Sequence, residues 1–338
     1  MPKMLILGTR QGVITAFKRG NNWVKASPDL NNQRVTSITA SGNRLMAGTT
    51  DGLYRSFLDL NHGSDLEAAL SKLKWEPLRD GIGAMHIRYL AGDPDMEDRF
   101  LVGAEPAEIY VSRNGGDTWR DCPEVAALRE RHAWSLPYSP GAGCVRGFAF
   151  HGKRVYAAVE DGCVLCSDDS GDTWRLAEGS SGDPDHLPRG GFIHSDVHSI
   201  EVHPFSADRV IAPTGGGLYK STDGGATWFN VYRCYTRAAW LDPVDQERII
   251  FGPATSVDRG GRIEMTLDGG QSWTYAAGGL DIPWNAHMVE RFTQVGEDLL
   301  AVLSNGRLIA TNLGSMAWEY ILPDIPFVLS AAGIEFDE

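Results

Sequence analysis

The sequence predicts an all-β chain: a seven-bladed β-propeller of four-stranded blades, with a C-terminal strand completing the first blade. Three observations carry this. Segments 112–119, 167–174, 221–228 and 266–273 share the pattern Ser/Thr-x-Asp/Asn-x-Gly-x-Thr/Ser-Trp. Seven tryptophans, Trp23, Trp75, Trp119, Trp174, Trp228, Trp273 and Trp318, are separated by 52, 44, 55, 54, 45 and 45 residues, the length of one four-stranded unit. The 39 glycines and 10 tryptophans suit a globular β protein with many tight turns.

Each element follows from this period. A representative blade reads 197–203 as its inner strand, then 209–212, 217–221 and 228–232. The first repeat holds only three strands, because Met4 already belongs to the second strand of its blade. Residues 327–334 supply the missing inner strand, close the ring and cover both sheet edges. The chain is therefore one domain, 1–338, with blades at approximately 4–26 plus 326–335, 34–79, 85–122, 144–178, 196–233, 235–276 and 287–322. Two segments break the β pattern. Residues 64–74 read as a short helix between the third and fourth strands of blade 2, and 123–133 as another after blade 3, with Pro123 in its first turn. The connections 121–142 and 178–195 both lead from an outer strand to the next inner strand. They should rise from the same face, and long loops gathered on one face commonly carry function.

The shared pattern has a structural chemistry. A short Asp or Asn side chain and a hydroxyl bond the backbone of a tight hairpin, Gly takes a positive φ, and Trp packs beneath. Segment 311–318 is a degenerate copy with Leu313 in the Asp position. This is the Asp-box, or BNR repeat. On its four copies the chain resembles the sialidase-like and photosystem-assembly-factor-like propellers. That resemblance implies that the box aspartates lie at the blade periphery and serve the fold.

Composition narrows the partners. A net charge of -13, from 31 Lys+Arg against 44 Asp+Glu, repels a phosphate backbone, and no basic run offsets it locally. No nucleic acid is expected as a partner. No stretch is long and apolar enough to span a bilayer, and residues 1–9 enter a strand-like run without leader features. The expectation is a soluble, cytoplasmic protein with no membrane partner. Five cysteines, Cys122, Cys144, Cys163, Cys166 and Cys234, fit a reducing compartment better than a disulfide framework. Cys163 and Cys166 form a lone CxxC in a strand-like run, where residues three apart face opposite sides, so their role reads as structural.

The functional signal lies at the inner strands. Aligned on their apolar alternation, they place Thr36, Arg88, Arg146, His198, Arg237 and Glu290 at equivalent positions. Arg34, His86, Cys144, Asp196, Tyr235 and Met288 lie two residues earlier on the same face. In blade 7 a slip of one residue would exchange Glu290 for Arg291. Guanidinium groups from Arg88, Arg146 and Arg237 focus on one point and suit a carboxylate, sulfate or phosphate. His86, His194, Trp134 and Tyr138 complete the expected ligand-binding set.

For the sialidases, the resemblance implies an Arg triad, a Tyr nucleophile activated by Glu, and an Asp acid/base. Arg88, Arg146, Arg237, Tyr235, Glu290 and Asp196 match these by type. The family's Phe/Tyr-Arg-Ile/Leu-Pro motif is absent, sialidases have six blades, and Tyr235 shares a strand with Arg237, so sialidase activity is not expected. Resemblance to xyloglucanases is weaker still, because those carry two propellers in a longer chain. His198 and Tyr235, with Asp196 and Glu290, also fit acid and base roles in a hydrolase or lyase. Neutral imidazoles of His86, His194, His198 and His287 near the axis offer ligands for a divalent metal. Two functions stand at this point: a pocket for a small anionic or carbohydrate-like ligand at the channel mouth, or a noncatalytic scaffold binding a protein partner through loop residues Trp134, Tyr138 and Phe192.

Overall fold

The computed structural model describes residues 3–59 and 66–335, and the chain forms seven four-stranded antiparallel sheets arranged as a ring of blades. Blade 1 has the order Val328–Glu335, Lys3–Thr9, Gly12–Arg19, Asn22–Asp29, so its inner strand comes from the far end of the chain. Met4 pairs with Ile334 and Leu7 with Ala331 in antiparallel register. Apolar residues Leu5 and Leu7 of that strand are fully buried against Leu300 and Val302 of blade 7, so the closing pair is also core.

The other blades run in chain order. Their inner strands are Val35–Ser41, Ile87–Asp93, Cys144–His151, Glu201–His203, Tyr235–Leu241 and Val289–Val295. The inner strand of blade 5 is shorter than the sequence suggests: it pairs regularly only from Glu201, and before that only through an isolated bridge from Val197 to Thr214. Its neighbours Ser206–Thr214, Gly217–Ser221 and Phe229–Tyr232 follow as expected. The helix after blade 3 spans Pro123–His132 and stops at Ala133, whose φ of 53° frees its N–H to bond back to Arg129 and Glu130. The helix in blade 2 is only Leu66–Leu70. Residues 71–74 leave it in a turn, and Ser64 and Asp65 lie outside the described residues. Among the described residues no helix is long and apolar enough to cross a membrane.

The core lies between blades. Leu101 and Ile109 of blade 3 pack with Val145, Val155 and Trp174 of blade 4, and Tyr156 and Val164 of blade 4 pack with Val210 and Trp228 of blade 5. The recurring hairpins lock the outer strands. In 221–228 the Gly225 N–H donates to Ser221 Oγ at 2.9 Å, and the Thr227 N–H donates to Asp223 Oδ1 at 2.8 Å. The Thr227 hydroxyl reaches Asp223 Oδ2 at 2.6 Å. Gly225 sits at φ 85°, a backbone conformation closed to most side chains. The degenerate copy keeps the idea with another residue: Asn312, one place before Leu313, accepts the Gly314 N–H at 3.0 Å.

Two expectations follow. Burial opposes the charge on Asp223, but the Thr227 and Ser221 donors outweigh it and hold the carboxyl below the usual carboxylate range. In acid the native state then binds fewer protons than the unfolded chain, so this stabilisation is present above about pH 4 and is lost as pH falls further. Asp223→Ala should lower the melting temperature by a few degrees near pH 7, with the gap to the parent narrowing below about pH 4. Deleting residues 327–338 removes the inner strand of blade 1 and should abolish the single cooperative transition in a calorimetric scan; a truncated chain that melts like the parent would contradict the role of that strand.

Candidate functional site

Every inner strand carries one residue more than its partner, and the extra residue faces the channel. Val35 pairs with Thr49 and Ser37 with Gly48, leaving Thr36 unpaired. Arg88, Arg146, Glu290 and Leu329 occupy the same place in blades 3, 4, 7 and 1. In blade 6, Arg237 and Ala238 lie opposite Gly252 alone, and in blade 5 residues 198–200 span two partners, 212–213. Such a bulge bends its strand and re-aims a side chain. Six of these seven positions are those the sequence alignment brings into one ring. Glu290 and Arg291 both line the channel, so the register ambiguity in blade 7 resolves into two contributions.

These residues surround a cavity of about 330 Å³ at the channel mouth, lined by Arg10, Arg34, Arg88, Arg146, Arg237 and Arg291. Three carboxylates face the same space, those of Glu160, Asp258 and Glu290. Thus six guanidinium groups meet three acids within a chain whose net charge is -13. The deeper arginines are paired: Arg88 with Glu105 at 3.4 Å, Arg146 with Glu160 at 2.9 Å, and Arg237 with Glu290. Arg10, Arg34 and Arg291 have no carboxylate partner among the described residues, and Arg291 lies over the Tyr89 ring, 4.9 Å from its centroid. Arg10 instead lies over the Phe327 ring, 3.5 Å from its centroid. Burial and then the like charges of Arg10 and Arg88 lower the pKa of Arg34, so an anion between them would relieve real repulsion.

A second, polar wall rises where blades 4, 5 and 6 meet. His198 Nδ1 contacts the Thr236 carbonyl at 2.8 Å, and His198 Nε2 lies 3.0 Å from Asp196 Oδ1. The Tyr235 hydroxyl stands 3.4 Å from the same Nε2 and accepts from Arg237 Nε at 3.0 Å. Asp196, His198, Tyr235, Arg237 and Glu290 therefore form one continuous chain of contacts. Beside it Glu160 Oε2 accepts from Arg146 at 2.9 Å, the Tyr138 hydroxyl at 3.1 Å and the Cys144 thiol at 3.2 Å. Burial pushes the Cys144 thiol up to about 12, so at neutral pH it remains a donor. Burial, then the charges of Asp196 and Glu160, pushes Asp161 up to about 6.

Other expected residues fall elsewhere. Trp134 is fully buried, packs in the core between blades 3 and 4, and donates its indole N–H to the Gly182 carbonyl at 2.8 Å. It ties the two long connections together and presents no surface to a ligand or partner. His86 sits beside Glu105 at 3.7 Å, in blade 3, and His287 stacks on Trp284 with ring centroids 4.8 Å apart. His194 accepts the Asp196 N–H at 3.1 Å. The four histidines do not gather into one ligand set: the cluster found among the described residues is Glu160, Asp196 and His198. Cys163 and Cys166 are both buried and unpaired, as are Cys122 and Cys144.

Sequence reasoning missed Arg10, Glu105, Glu160 and Asp258. Arg10, Glu105 and Asp258 lie in the connections between the second and third strands of their blades, and Glu160 ends the second strand of blade 4, all on the face where the inner strands begin. Arg10 and Glu160 stand two residues before Gly12 and Gly162, at the hairpin that opens the third strand, and that placement was the available signal.

No family model matches the chain. An oligoxyloglucan-reducing end-specific xyloglucanase from Emericella nidulans is 25% identical over 204 residues, covering 52% of this chain and 25% of that protein. The GH74 xyloglucanase from Xanthomonas campestris aligns with a TM-score of 0.59 at 19% identity, over 86% of this chain and 45% of its own. YCF48 from Cyanidioschyzon merolae aligns with a TM-score of 0.58 at 14% identity, over 91% of each chain. At these identities the structural likenesses show the fold alone. The xyloglucanase likeness, ranked behind sialidases in the sequence, is one the comparisons return, and this chain spans about a quarter of that curated relative, 25%.

The placement of Trp134 makes a prediction. Trp134→Ala should cost about 3–5 kcal/mol of stability in denaturant unfolding, and Tyr138→Phe, which keeps the exposed ring, should cost far less.

Proposed function

We propose that this chain is an Asp-box propeller that binds a small anionic, sugar-like ligand at the channel mouth, with hydrolase or lyase chemistry. The observation that carries the reading is the concentration of six guanidinium groups around one cavity of an acidic protein, three of them, Arg10, Arg34 and Arg291, without a carboxylate partner among the described residues. The ligand anion fits between Arg10, Arg34 and Arg88, where planar guanidinium forks bind carboxylate or phosphate oxygens in pairs. Likeness to xyloglucanases supports a carbohydrate ligand; the arginines support an acidic one, such as a uronate. His198 and Tyr235 then stand as the acid and base pair, with Asp196 and Glu290 holding them in place and Arg237 stabilising developing negative charge. A bare phosphate or sulfate would satisfy the arginines without engaging that wall.

The test is calorimetry and thermal shift of the full chain with glucuronate, galacturonate, sialate, phosphate and sulfate. A ligand at about 100 times its dissociation constant should stabilise by about 2.7 kcal/mol. Arg34→Ala removes an exposed, unpaired cation, so the fold should tolerate it while affinity falls roughly 10- to 100-fold, the equivalent of about 1.5–3 kcal/mol. No shift with any anion, or a shift indifferent to Arg34→Ala, would overturn the reading and favour a protein partner docking at the rim around Tyr138 and Phe192.

A further inference from the structure

Where blades 4 and 5 meet, donor atoms of Glu160, Asp196 and His198 all lie within 4.8 Å of one another. They come from separate stretches that ring closure brings together. Glu160 ends the second strand of blade 4, Arg154–Glu160, while Asp196 and His198 lead into blade 5.

His198 is only 3% exposed, and its ring is fixed. A carbonyl oxygen can only accept, so the 2.8 Å contact with Thr236 makes Nδ1 the protonated nitrogen. In the neutral ring Nε2 then carries a lone pair, 3.0 Å from Asp196 Oδ1 and 3.4 Å from the Tyr235 hydroxyl. That carboxylate oxygen is itself buried and accepts no hydrogen bond from the described residues. Two acceptors held this close require either a proton between them or a cation beside them. Two ligand atoms each ~2.1 Å from one ion stand about 3.0 Å apart at an octahedral right angle and about 3.4 Å apart at a tetrahedral angle. An imidazole with one nitrogen on a backbone carbonyl and the other turned inward is also how metal-bound histidines are oriented.

The backbone opposite is kept bare. A Cβ at Gly215 would lie 2.3 Å from Asp196 Oδ2, and one at Gly216 would lie 2.4 Å from His194 Cδ2. Any side chain there would displace the carboxylate or the neighbouring imidazole. Glu160 Oε2 is held by Arg146, Tyr138 and Cys144, which fixes the carboxylate beside the cluster.

We propose that His198, Asp196 and Glu160 bind one first-row divalent transition cation of the Zn²⁺ or Mn²⁺ class. One imidazole nitrogen with two carboxylate oxygens suits these ions over Mg²⁺, which prefers an all-oxygen shell. The site shares Glu160 with the lining of the anion pocket and takes the His198 nitrogen that the acid and base reading uses, but it involves neither Arg10 nor Arg34.

The full chain, stripped with chelator and dialysed, is titrated calorimetrically with Zn²⁺, Mn²⁺ and Mg²⁺ separately. One equivalent of Zn²⁺ or Mn²⁺ should bind at least tenfold tighter than Mg²⁺. Asp196→Asn and Glu160→Gln, both close in shape to the parent residues, should each weaken it tenfold or more with the far-UV spectrum retained. Arg34→Ala should leave metal affinity unchanged, so that failure of the anion reading and failure of this one are told apart. Co²⁺ added in place of Zn²⁺ should give visible absorption that Asp196→Asn alters. Absence of one-to-one binding, or binding that both carboxylate variants leave intact, would overturn the proposal and assign the contact to a protonated His198 paired with Asp196.

Discussion

The antiparallel pairing of Val328–Glu335 with Lys3–Thr9 is the contact on which the remaining geometry depends. Blades 2 to 7 each supply their own four strands, but a row of blades becomes a ring only when the last is joined to the first. Until then no axis exists, and side chains from different blades have no common point to face. Close packing at the join is achieved with small residues. A Cβ at Gly333 would lie 1.9 Å from Val295, and one at Gly8 would lie 2.4 Å from Ser330 Oγ. The closing strand therefore lies directly against its neighbours in blades 7 and 2. No single blade owns the cavity: Arg10, Arg34, Arg88, Arg146, Arg237 and Arg291 come from six of them.

Much of this was legible in the sequence because repetition amplifies weak signals. One Trp-ended hairpin is an ambiguous turn, but seven tryptophans at a near-constant interval fix the number of units, and the unit length fixes four strands. The missing first strand and the tail beyond Trp318 then account for each other. The axial ring was legible for the same reason, since aligning inner strands requires only their apolar alternation. Reading stopped where alternation stopped. Glu105 and Asp258 sit in connections, and Glu160 at a strand end, where local sequence is dictated by hairpin geometry and acids are commonplace. Trp134 misled because an aromatic in a long loop looks available, whereas this one is consumed in joining two connections across 48 residues of chain.

The electrostatics of the channel follow depth. Arg88, Arg146 and Arg237, set well into the ring, meet carboxylates from their own or an adjacent blade, whereas Arg291 lies over the Tyr89 ring. Desolvated charges persist only when compensated, and removing one member strands the other. These pairs act as a rigid polar floor. Arg10 and Arg34, more exposed and uncompensated by acids, have water as their counterweight, which a bound anion can replace. On one side of the floor acids crowd together, and burial with the charges of Asp196 and Glu160 pushes the Asp161 carboxyl up.

The extra residue in each inner strand stands under different constraints from its neighbours. A residue inside a regular ladder answers to its partner, its register and the core behind it, so replacing it disturbs the blade. Thr36, Arg88, Arg146, Glu290 and Leu329 are exempt from pairing with the second strand. Their side chains, threonine, arginine, glutamate and leucine in this one chain, answer to their partners in the channel, such as Glu160 for Arg146, and not to the ladder. The ring thus behaves as a turret of separately adjustable fittings on a frame set by the ladders behind it.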